Sequence, residues 1–196
     1  AWSQRVDALC LLPGILRDLG QDPEPILASA GLAPTALDRQ DNRIPFAATG
    51  RLLAAAARAS DLPHFGLLTG RVWTLASMGL PGQLMQHSPT LRDALRSLAV
   101  YHRLDCGGGA VFLLEGKETA TLGYVVHQPG VEHIEFIYDT VMACGVNFIR
   151  ELLGQHSTPL KVSFARARPA DTRPYRDYFR ARLQFNPLKE KVIALA

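Results

Sequence analysis

The spacing of apolar residues predicts that the first half of the chain is helical. Asp22 before Pro23 is typical of a helix start, because an aspartate accepts a backbone hydrogen bond at the N-cap and proline fits the first helical position. Leucine and alanine recur at helical spacing over 46–58, and the pattern of 63–70 predicts another short helix. The segment 71–78 that joins this half to the next is ambiguous in its pattern.

The second half predicts helices that alternate with strands. Thr90 and Asp93 form a capping box in which aspartate replaces the usual glutamate. After Asp105 the apolar period changes from that of a helix to that of a strand. The predicted elements, in order, are a helix from Thr90, strands over 110–114 and 119–127, a helix over 132–153, a strand over 160–164, a helix from about Pro174 and a hairpin of 183–185 with 192–195.

This order, α-β-β-α-β-α-β-β after a helical half, predicts an α+β fold. Tight turns between consecutive strands favour antiparallel pairing, so we expect a helical N-terminal half packed on a mostly antiparallel sheet with covering helices. The predicted division is a helical subdomain over 1–87 and an α+β sheet subdomain over 88–196, which together form one domain. The seam between the two parts is the place where a small ligand would fit.

Composition indicates one folded core and excludes several classes of protein. Of the 196 residues 47% are hydrophobic and 20% charged, which is ordinary for a globular domain. No stretch approaches the roughly 18 apolar residues that a membrane span needs. The N-terminus shows no secretory leader, and the three cysteines are too widely spaced for a disulfide framework or a C-x-x-C pair. We therefore expect a cytoplasmic protein with no membrane partner.

Charge is unevenly distributed along the chain. The formal net charge is +3, yet residues 161–196 hold nine basic and only three acidic residues. Such a cluster is found on surfaces that lie near a polyanion, and equally on ordinary solvated faces. Charge alone therefore does not indicate a nucleic-acid-binding protein.

The motifs of the common enzyme classes are absent from the sequence. It contains no nucleophile elbow, phosphate-binding loop or metalloprotease helix. The run 107–109 of three glycines precedes a predicted strand, so we interpret it as a flexible turn rather than a phosphate cradle. His127, His133 and Glu135 could hold Zn²⁺, but they straddle a turn and no fourth ligand is visible; haem bound through a histidine rests on weaker grounds. We expect no enzymatic activity, no catalytic residue, no metal and no cofactor.

Several aromatic or polar side chains are placed among apolar ones, as in a ligand pocket. An aromatic body with a polar tip can orient a small organic molecule, although each residue could equally be an ordinary core residue. The candidate effector-binding residues are Trp73, Met78, Tyr101, His102, Tyr124, His133 and Ile137.

One string of the sequence resembles a known family. Residues 79–95 read GLPGQLMQHSPTLRDAL and are similar to a signature in the N-terminal effector domain of one branch of AraC/XylS-type bacterial transcription regulators. The FGLLTG string at 65–70, the segment from Pro169 to Phe179 and the LQFN string at 183–186 resemble further elements of that family, in the same order.

The resemblance implies a one-component regulator. This chain would be its ligand-sensing part, binding a small-molecule effector, while DNA would be bound only through a C-terminal domain with two helix-turn-helix units that is missing from this chain. Arg173, Arg176 and Arg180 would then form a basic patch near the DNA. The alternative is a dimerisation module without a physiological ligand, in which a homodimer uses the apolar stripe of the long helix or the edge of the final hairpin.

Overall fold

The first half of the chain is helical apart from two very short strands. The computed structural model describes residues 2–185 and 192–195. The elements of the first half are β1 (Ser3–Arg5), a 3₁₀ segment (Asp7–Leu11), α1 (Leu12–Asp18), α2 (Pro23–Ser29), β2 (Arg43–Pro45), α3 (Phe46–Ser60), α4 (Phe65–Gly70), a 3₁₀ turn (Ala76–Met78) and α5 (Leu80–Gln86).

The second half has the predicted order of elements. They are α6 (Leu91–Asp105), β3 (Gly109–Glu115), β4 (Ala120–Val126), α7 (Ile134–Leu153), β5 (Lys161–Phe164), α8 (Arg173–Phe179), β6 (Arg182–Phe185) and β7 (Val192–Leu195). The strands form a sheet in the order β3-β4-β7-β5-β6, in which β5 and β6 are parallel and the other neighbours antiparallel. The predicted α+β class with a mostly antiparallel sheet is confirmed.

The predicted hairpin of 183–185 with 192–195 is wrong. β6 instead pairs in parallel with β5, with Val162 opposite Leu183, while β7 lies between β4 and β5. The helix α8 crosses over between β5 and β6, and such a crossover is what parallel pairing requires. The turn predicted at 186–187 lies outside the described residues.

A small second sheet modifies the helical half. β1 and β2 pair antiparallel, with Gln4 opposite Ile44, and Gln4 also forms an isolated bridge with Cys106 at the end of α6. Three-residue strands are too short to give a periodic signal, so the sequence pattern does not reveal them. The bridge ties the N-terminal strand to the second half of the chain.

The glycine run before β3 is a close-packing device and not merely a flexible turn. A Cβ on Gly108 would lie 2.1 Å from a ring carbon of Phe46, and one on Gly109 would lie 2.0 Å from the Tyr124 hydroxyl oxygen. Gly109 is already part of β3. These positions therefore require glycine because aromatic side chains occupy the space.

The long helix α7 packs directly against α4 through two glycines. A Cβ on Gly66 would lie 2.5 Å from the Phe136 carbonyl oxygen, and one on Gly70 would lie 2.3 Å from that of Thr140. The Thr140 hydroxyl donates a hydrogen bond to the Gly66 carbonyl at 2.9 Å. One hydrophobic core joins both halves of the chain around this helix. The proposed boundary between 1–87 and 88–196 stays a prediction.

Two predicted helix ends are confirmed. At the start of α6 the Thr90 hydroxyl accepts the Asp93 backbone N–H at 3.1 Å and donates to the Asp93 carboxylate at 2.6 Å. At the end of α7, Gly154 has φ of +102°, a region that favours glycine. Within the described residues, no helix is both long and apolar enough to cross a membrane.

Candidate effector-binding cavity

A cavity of about 110 Å³ lies where the helical half meets the sheet. Its walls come from β1, the first 3₁₀ segment, α3 and 73–78 on one side, and from α6, β3, β4 and α7 on the other. Much of the lining is apolar, including Leu53, Met78, Leu98, Ile137, Val141 and Phe148. A volume on this order accommodates an organic molecule about the size of one aromatic ring.

Polar atoms without a partner are concentrated in this cavity. Among the described residues, six buried side-chain oxygen or nitrogen atoms lack a hydrogen-bond partner, and four of them belong to residues that line the cavity. These four unpaired atoms are Thr49 Oγ1, Trp73 Nε1, His102 Nδ1 and Asp105 Oδ2. Buried polar groups are nearly always paired, and an unpaired one costs about 1–3 kcal/mol, so the lining of this cavity stands out from the rest of the described residues.

His102 lines the cavity as an uncharged ring. It continues the apolar stripe of α6 formed by Ala94, Leu95 and Leu98, which are buried. Its ring meets that of Tyr124 edge-on, with the centroids 5.5 Å apart. Removal from water lowers the pKa of His102 to about 4. Near pH 7 the ring is therefore neutral and offers one donor and one acceptor nitrogen.

An arginine and two carboxylates line another part of the cavity. Arg5 Nε lies 3.0 Å from Asp7 Oδ1 and 3.6 Å from Asp105 Oδ1. Burial raises the pKa of Asp7 to about 6, against the opposing effect of Arg5. Burial also raises the pKa of Asp105, where Arg5 and Arg43 oppose it. The positive charge of Arg5 thus opposes, for both acids, the upward shift of the pKa that burial causes.

Tyr124 and Cys106 form a neutral part of the wall. The Tyr124 hydroxyl oxygen lies 3.6 Å from Cys106 Sγ, in the space that Gly109 leaves free. Burial raises the pKa of the Cys106 thiol and raises that of Tyr124 well above its ordinary value. Both groups therefore stay protonated at neutral pH.

The structure brings five of the seven predicted effector-binding residues together and places the other two elsewhere. Trp73, Met78, His102, Tyr124 and Ile137 line the cavity. The remaining two do not line it: Tyr101 is 38% exposed on α6, and His133 precedes α7 with φ of +53° and its Nδ1 3.9 Å from Glu135 Oε1. Tyr101 directly precedes His102, and successive helical residues are rotated by roughly 100°, so the two cannot share a face.

Sequence reasoning missed Arg5, Asp7, Thr49 and Asp105. One signal was available, because Asp7 stands within the apolar run of Val6, Ala8 and Leu9 and is 3% exposed. A charged residue inside such a run is a candidate for a buried polar site. Thr49 and Asp105 give no comparable local signal, since both residue types are common on helix surfaces and ends.

The zinc alternative finds no support in the side-chain positions. Among the residues described, no three histidine, cysteine or acidic side chains gather as a metal site would require. His127 Nε2 lies 3.0 Å from the Gly107 carbonyl oxygen, and the ring packs edge-on against Trp2. His133 contacts Glu135 as stated above, on the other side of the turn.

A second polar cluster fixes α8 to α7. The carboxylate of Asp139, which is 0% exposed, pairs with the Arg166 guanidinium and accepts a hydrogen bond from the Tyr175 hydroxyl at 2.5 Å. Burial raises the pKa of Asp139 to about 7, despite Arg166. Near the other end of α8, Arg150 donates to the carbonyl of Tyr178 at 2.7 Å.

Asn147 connects this cluster to the cavity. Its side-chain nitrogen donates to the backbone carbonyl of the cavity residue Trp73 at 2.9 Å. Its side-chain oxygen lies 2.8 Å from the Tyr178 hydroxyl of α8. One side chain on α7 therefore contacts both a wall of the cavity and α8.

The three arginines of the predicted basic patch lie at the surface. Arg173, Arg176 and Arg180 are exposed along α8 and at its end. Arg173 forms an exposed ion pair with Asp171 at 2.8 Å, and Arg180 donates to the Gln155 carbonyl at 2.7 Å. These contacts reduce the free positive charge of the patch but leave its side chains accessible.

A helical half lies against a mostly antiparallel sheet, with a partly polar cavity between them, and sequence comparison gives the family of this α+β domain. Residues 20–190 match the family described as the arabinose-binding domain of AraC transcription regulators, N-terminal. The chain belongs to this family of N-terminal domains of AraC-type regulators, as the resemblance predicts.

Individual relatives agree with this assignment. The chain is 28% identical over 175 residues to the HTH-type transcriptional regulator VirS of Mycobacterium tuberculosis, which covers 87% of this chain and 51% of VirS. The crystal structure of the transcriptional regulator CdpR from Pseudomonas aeruginosa has a similar fold, with a TM-score of 0.58, 16% identity, and coverage of 91% of this chain and 53% of CdpR. The chain thus spans about half the length of these relatives, which are transcriptional regulators rather than enzymes.

Proposed function

We propose that this domain binds a small organic effector in the cavity between its helical half and its sheet, and that occupancy controls an attached DNA-binding domain. The observation that carries the proposal is that four unpaired polar atoms belong to residues that line one largely apolar cavity. A bound molecule with a few polar groups would pair these atoms and cover the apolar wall. That combination is typical of sites for small ligands.

The path from the cavity to the rest of the regulator runs through α7. Ile137, Val141 and Phe148 face the cavity, whereas Asp139 and Asn147 contact the α8 side. An effector that shifts α7 or Trp73 would change the hydrogen bonds that Asn147 makes to Tyr178 of α8. Differential affinity for the two arrangements would then shift their populations. Because α8 carries the basic patch, DNA contact through the attached domain would respond.

A fragment screen with a cavity-filling variant tests effector binding. The probes are single-ring compounds that each bear one polar group, at millimolar concentration, and the measurement is the melting temperature. Leu53→Trp fills the cavity from α3, and Leu80→Trp on the exposed face of α5 is the matched control, since Leu80 is 60% exposed. We expect at least one compound to raise the melting temperature of the parent and of Leu80→Trp by a few degrees, but not that of Leu53→Trp.

Two outcomes contradict the proposal. One is a panel in which no compound shifts the melting temperature of the parent chain. The other is a shift of equal size in Leu53→Trp, which would place the compounds outside the cavity. A circular dichroism spectrum of each variant shows whether it is folded.

Self-association is a second candidate function, supported by a different surface. The apolar stripe of the long helix α7 is largely buried within the domain, so it is not available as an interface. The second predicted interface, the edge of a final hairpin, is lost because β6 and β7 do not pair with each other. The C-terminal half of α6 instead exposes Val100 by 47% and Leu104 by 59%, one helical turn apart. If this face forms a homodimer, light scattering should give twice the monomer mass, and Leu104→Glu should return the monomer. A strict monomer at high concentration removes this function.

A further inference from the structure

The charged groups around the cavity are unbalanced. Two carboxylates line it, Asp7 and Asp105, but only one cation, Arg5. His102 is neutral near pH 7 for the reason given above. The nearby Arg43 does not line the cavity, and its guanidinium donates to backbone carbonyls, including that of Asp105 at 3.3 Å. The lining itself therefore contains one more carboxylate than cation, while the charge of Arg43 acts on both carboxylates from outside the lining.

We infer that the effector carries a basic nitrogen, such as a primary amine, on an apolar body about the size of one aromatic ring. The inference rests on the proposed function, since it assumes that the cavity is the effector site. It specifies which chemical class of effector the site accepts. A carboxylate on the same body would be rejected.

Asp105 is the group that most directly favours a ligand with a basic nitrogen. Its Oδ1 lies 3.6 Å from Arg5 Nε, a weak contact, while its Oδ2 is buried and has no partner among the described residues. A carboxylate oxygen accepts hydrogen bonds and cannot donate them, so only a donor can complete it. An ammonium group supplies both the donor and the opposite charge.

Arg5 is already paired with a carboxylate, which reduces its attraction for a second anion. Its Nε already lies 3.0 Å from Asp7 Oδ1, and Asp7 is 3% exposed. A ligand carboxylate near Arg5 would be placed beside two other carboxylates in a medium that screens charge poorly. Like charges brought together in this way repel strongly, so the anion would be disfavoured.

The other unpaired atoms are compatible with the same ligand. Thr49 Oγ1 and the acceptor nitrogen of His102 can each receive a further N–H of an ammonium group. Trp73 Nε1 can only donate, which leaves room for an oxygen or a ring face elsewhere on the ligand. The remaining lining, with residues such as Leu53, Ile137 and Phe148, would cover the apolar body.

Three probes that share one apolar body test the inference. They are 2-phenylethylamine, 2-phenylethanol and 3-phenylpropanoate, which are cationic, neutral and anionic at pH 7.5. Binding to the full 196-residue chain is measured by calorimetric titration and by the shift of the melting temperature. We expect the amine to bind at least ten-fold more tightly than the alcohol, and the propanoate not to bind at concentrations up to about a hundred times the Kd of the amine.

Variants then assign the preference to Asp105. Asp105→Asn should weaken binding of the amine at least ten-fold while the alcohol binds within about two-fold of its affinity for the parent. Asp171→Asn, which removes an exposed carboxylate that does not line the cavity, should change neither. If Asp105→Asn does not fold, Asp7→Asn takes its place, and the comparison of the three probes on the parent chain needs no variant.

The outcomes separate this inference from the proposed function. Binding of the propanoate or the alcohol as tightly as the amine overturns the amine class but leaves the cavity as an effector site. The amine class is also overturned, and the effector site kept, if none of the three probes binds but another fragment binds to the parent chain and not to Leu53→Trp. Failure of every compound in both experiments overturns the inference and the proposed function together.

Discussion

The two sides of the long helix α7 differ in how their polar groups are paired. On the α8 side, Asp139 Oδ2 pairs with Arg166 and Tyr175, Asn147 uses both ends of its amide, and only Asp139 Oδ1 is unpaired among the described groups of this cluster. On the cavity side, four polar atoms from the surrounding elements have no partner among the described residues. The α8 side is thus largely paired within the protein, whereas the cavity side leaves most of the unpaired atoms, as the proposed effector site would.

The largest effect on stability is expected from breaking the Asp139 cluster on the α8 side. Replacing Asp139 by alanine leaves Arg166 in a mostly buried position without its carboxylate, and we expect a loss of about 3 kcal/mol in the free energy of unfolding. Urea denaturation followed by circular dichroism measures it. Asp171→Ala, which breaks the exposed pair with Arg173 and the hydrogen bond from the Arg173 backbone N–H, should change stability far less. Equal losses in the two variants would show that the Asp139 cluster is not structural.

The pH dependence of the free energy of unfolding should have opposite signs for the buried titratable groups on the two sides of α7. The pKa of Asp139 is about 7 in the folded chain against an ordinary value of 3.8, so its contribution to stability is full below pH 3.8 and is lost as the pH rises toward 7. The pKa of His102 is about 4 against 6.5, so its contribution is full above pH 6.5 and is lost as the pH falls toward 4. Asp139 and His102 therefore affect stability over nearly the same pH range, but with opposite signs.

Two variants isolate these contributions. Asp139→Asn should make the free energy of unfolding rise more steeply with pH between 4.5 and 6.5, and His102→Gln should make it rise less or fall. For one group the slope changes by at most about 1.4 kcal/mol per pH unit. Urea titrations at three pH values measure the slopes. Shifts of the same sign in both variants would contradict the burial argument on at least one side of α7.

Removing a hydroxyl should have opposite effects on the two sides. Thr49 Oγ1 is unpaired, so Thr49→Val should leave the effector-free protein as stable or raise its free energy of unfolding by up to about 1 kcal/mol. The Tyr178 hydroxyl lies 2.8 Å from Asn147 Oδ1, so Tyr178→Phe should lower the free energy of unfolding by about 1 kcal/mol. Chemical denaturation of the two single variants and of the double variant checks signs and additivity. A loss in Thr49→Val would mean that its hydroxyl has a partner.

The smallest effect on stability is expected at the outer surface of α8. Neutralising Arg173, Arg176 and Arg180 to glutamine should leave the melting temperature nearly unchanged, because all three are exposed. In the full-length regulator the same triple variant should lower DNA affinity and make its dependence on salt less steep. The measurement is a binding titration at several salt concentrations. An unchanged salt slope would identify the arginines as an ordinary solvated face.

Local patterns predicted elements better than pairings. The Thr90 cap, the stripe of α6 and the Gly154 terminus all depend on contacts within one or two helical turns, so the sequence contains the needed information. The placement of β7 between β4 and β5 depends on strands far apart in the chain. A short apolar strand has no property that selects its neighbour, and the predicted hairpin was wrong for that reason.

The amino-acid sequence by itself determined the α+β order of elements and the resemblance to the family. It also supplied seven candidate residues, five of which line the cavity, because aromatic and polar residues inside apolar stripes are visible without coordinates. Only the tertiary structure decided that Arg5, Asp7 and Asp105 meet on one wall and that Tyr101 and His133 lie elsewhere. The reason is that β1 is brought to the end of α6 by its bridge at Cys106. Charge balance in a cavity depends on such long-range contacts, which no local spacing records.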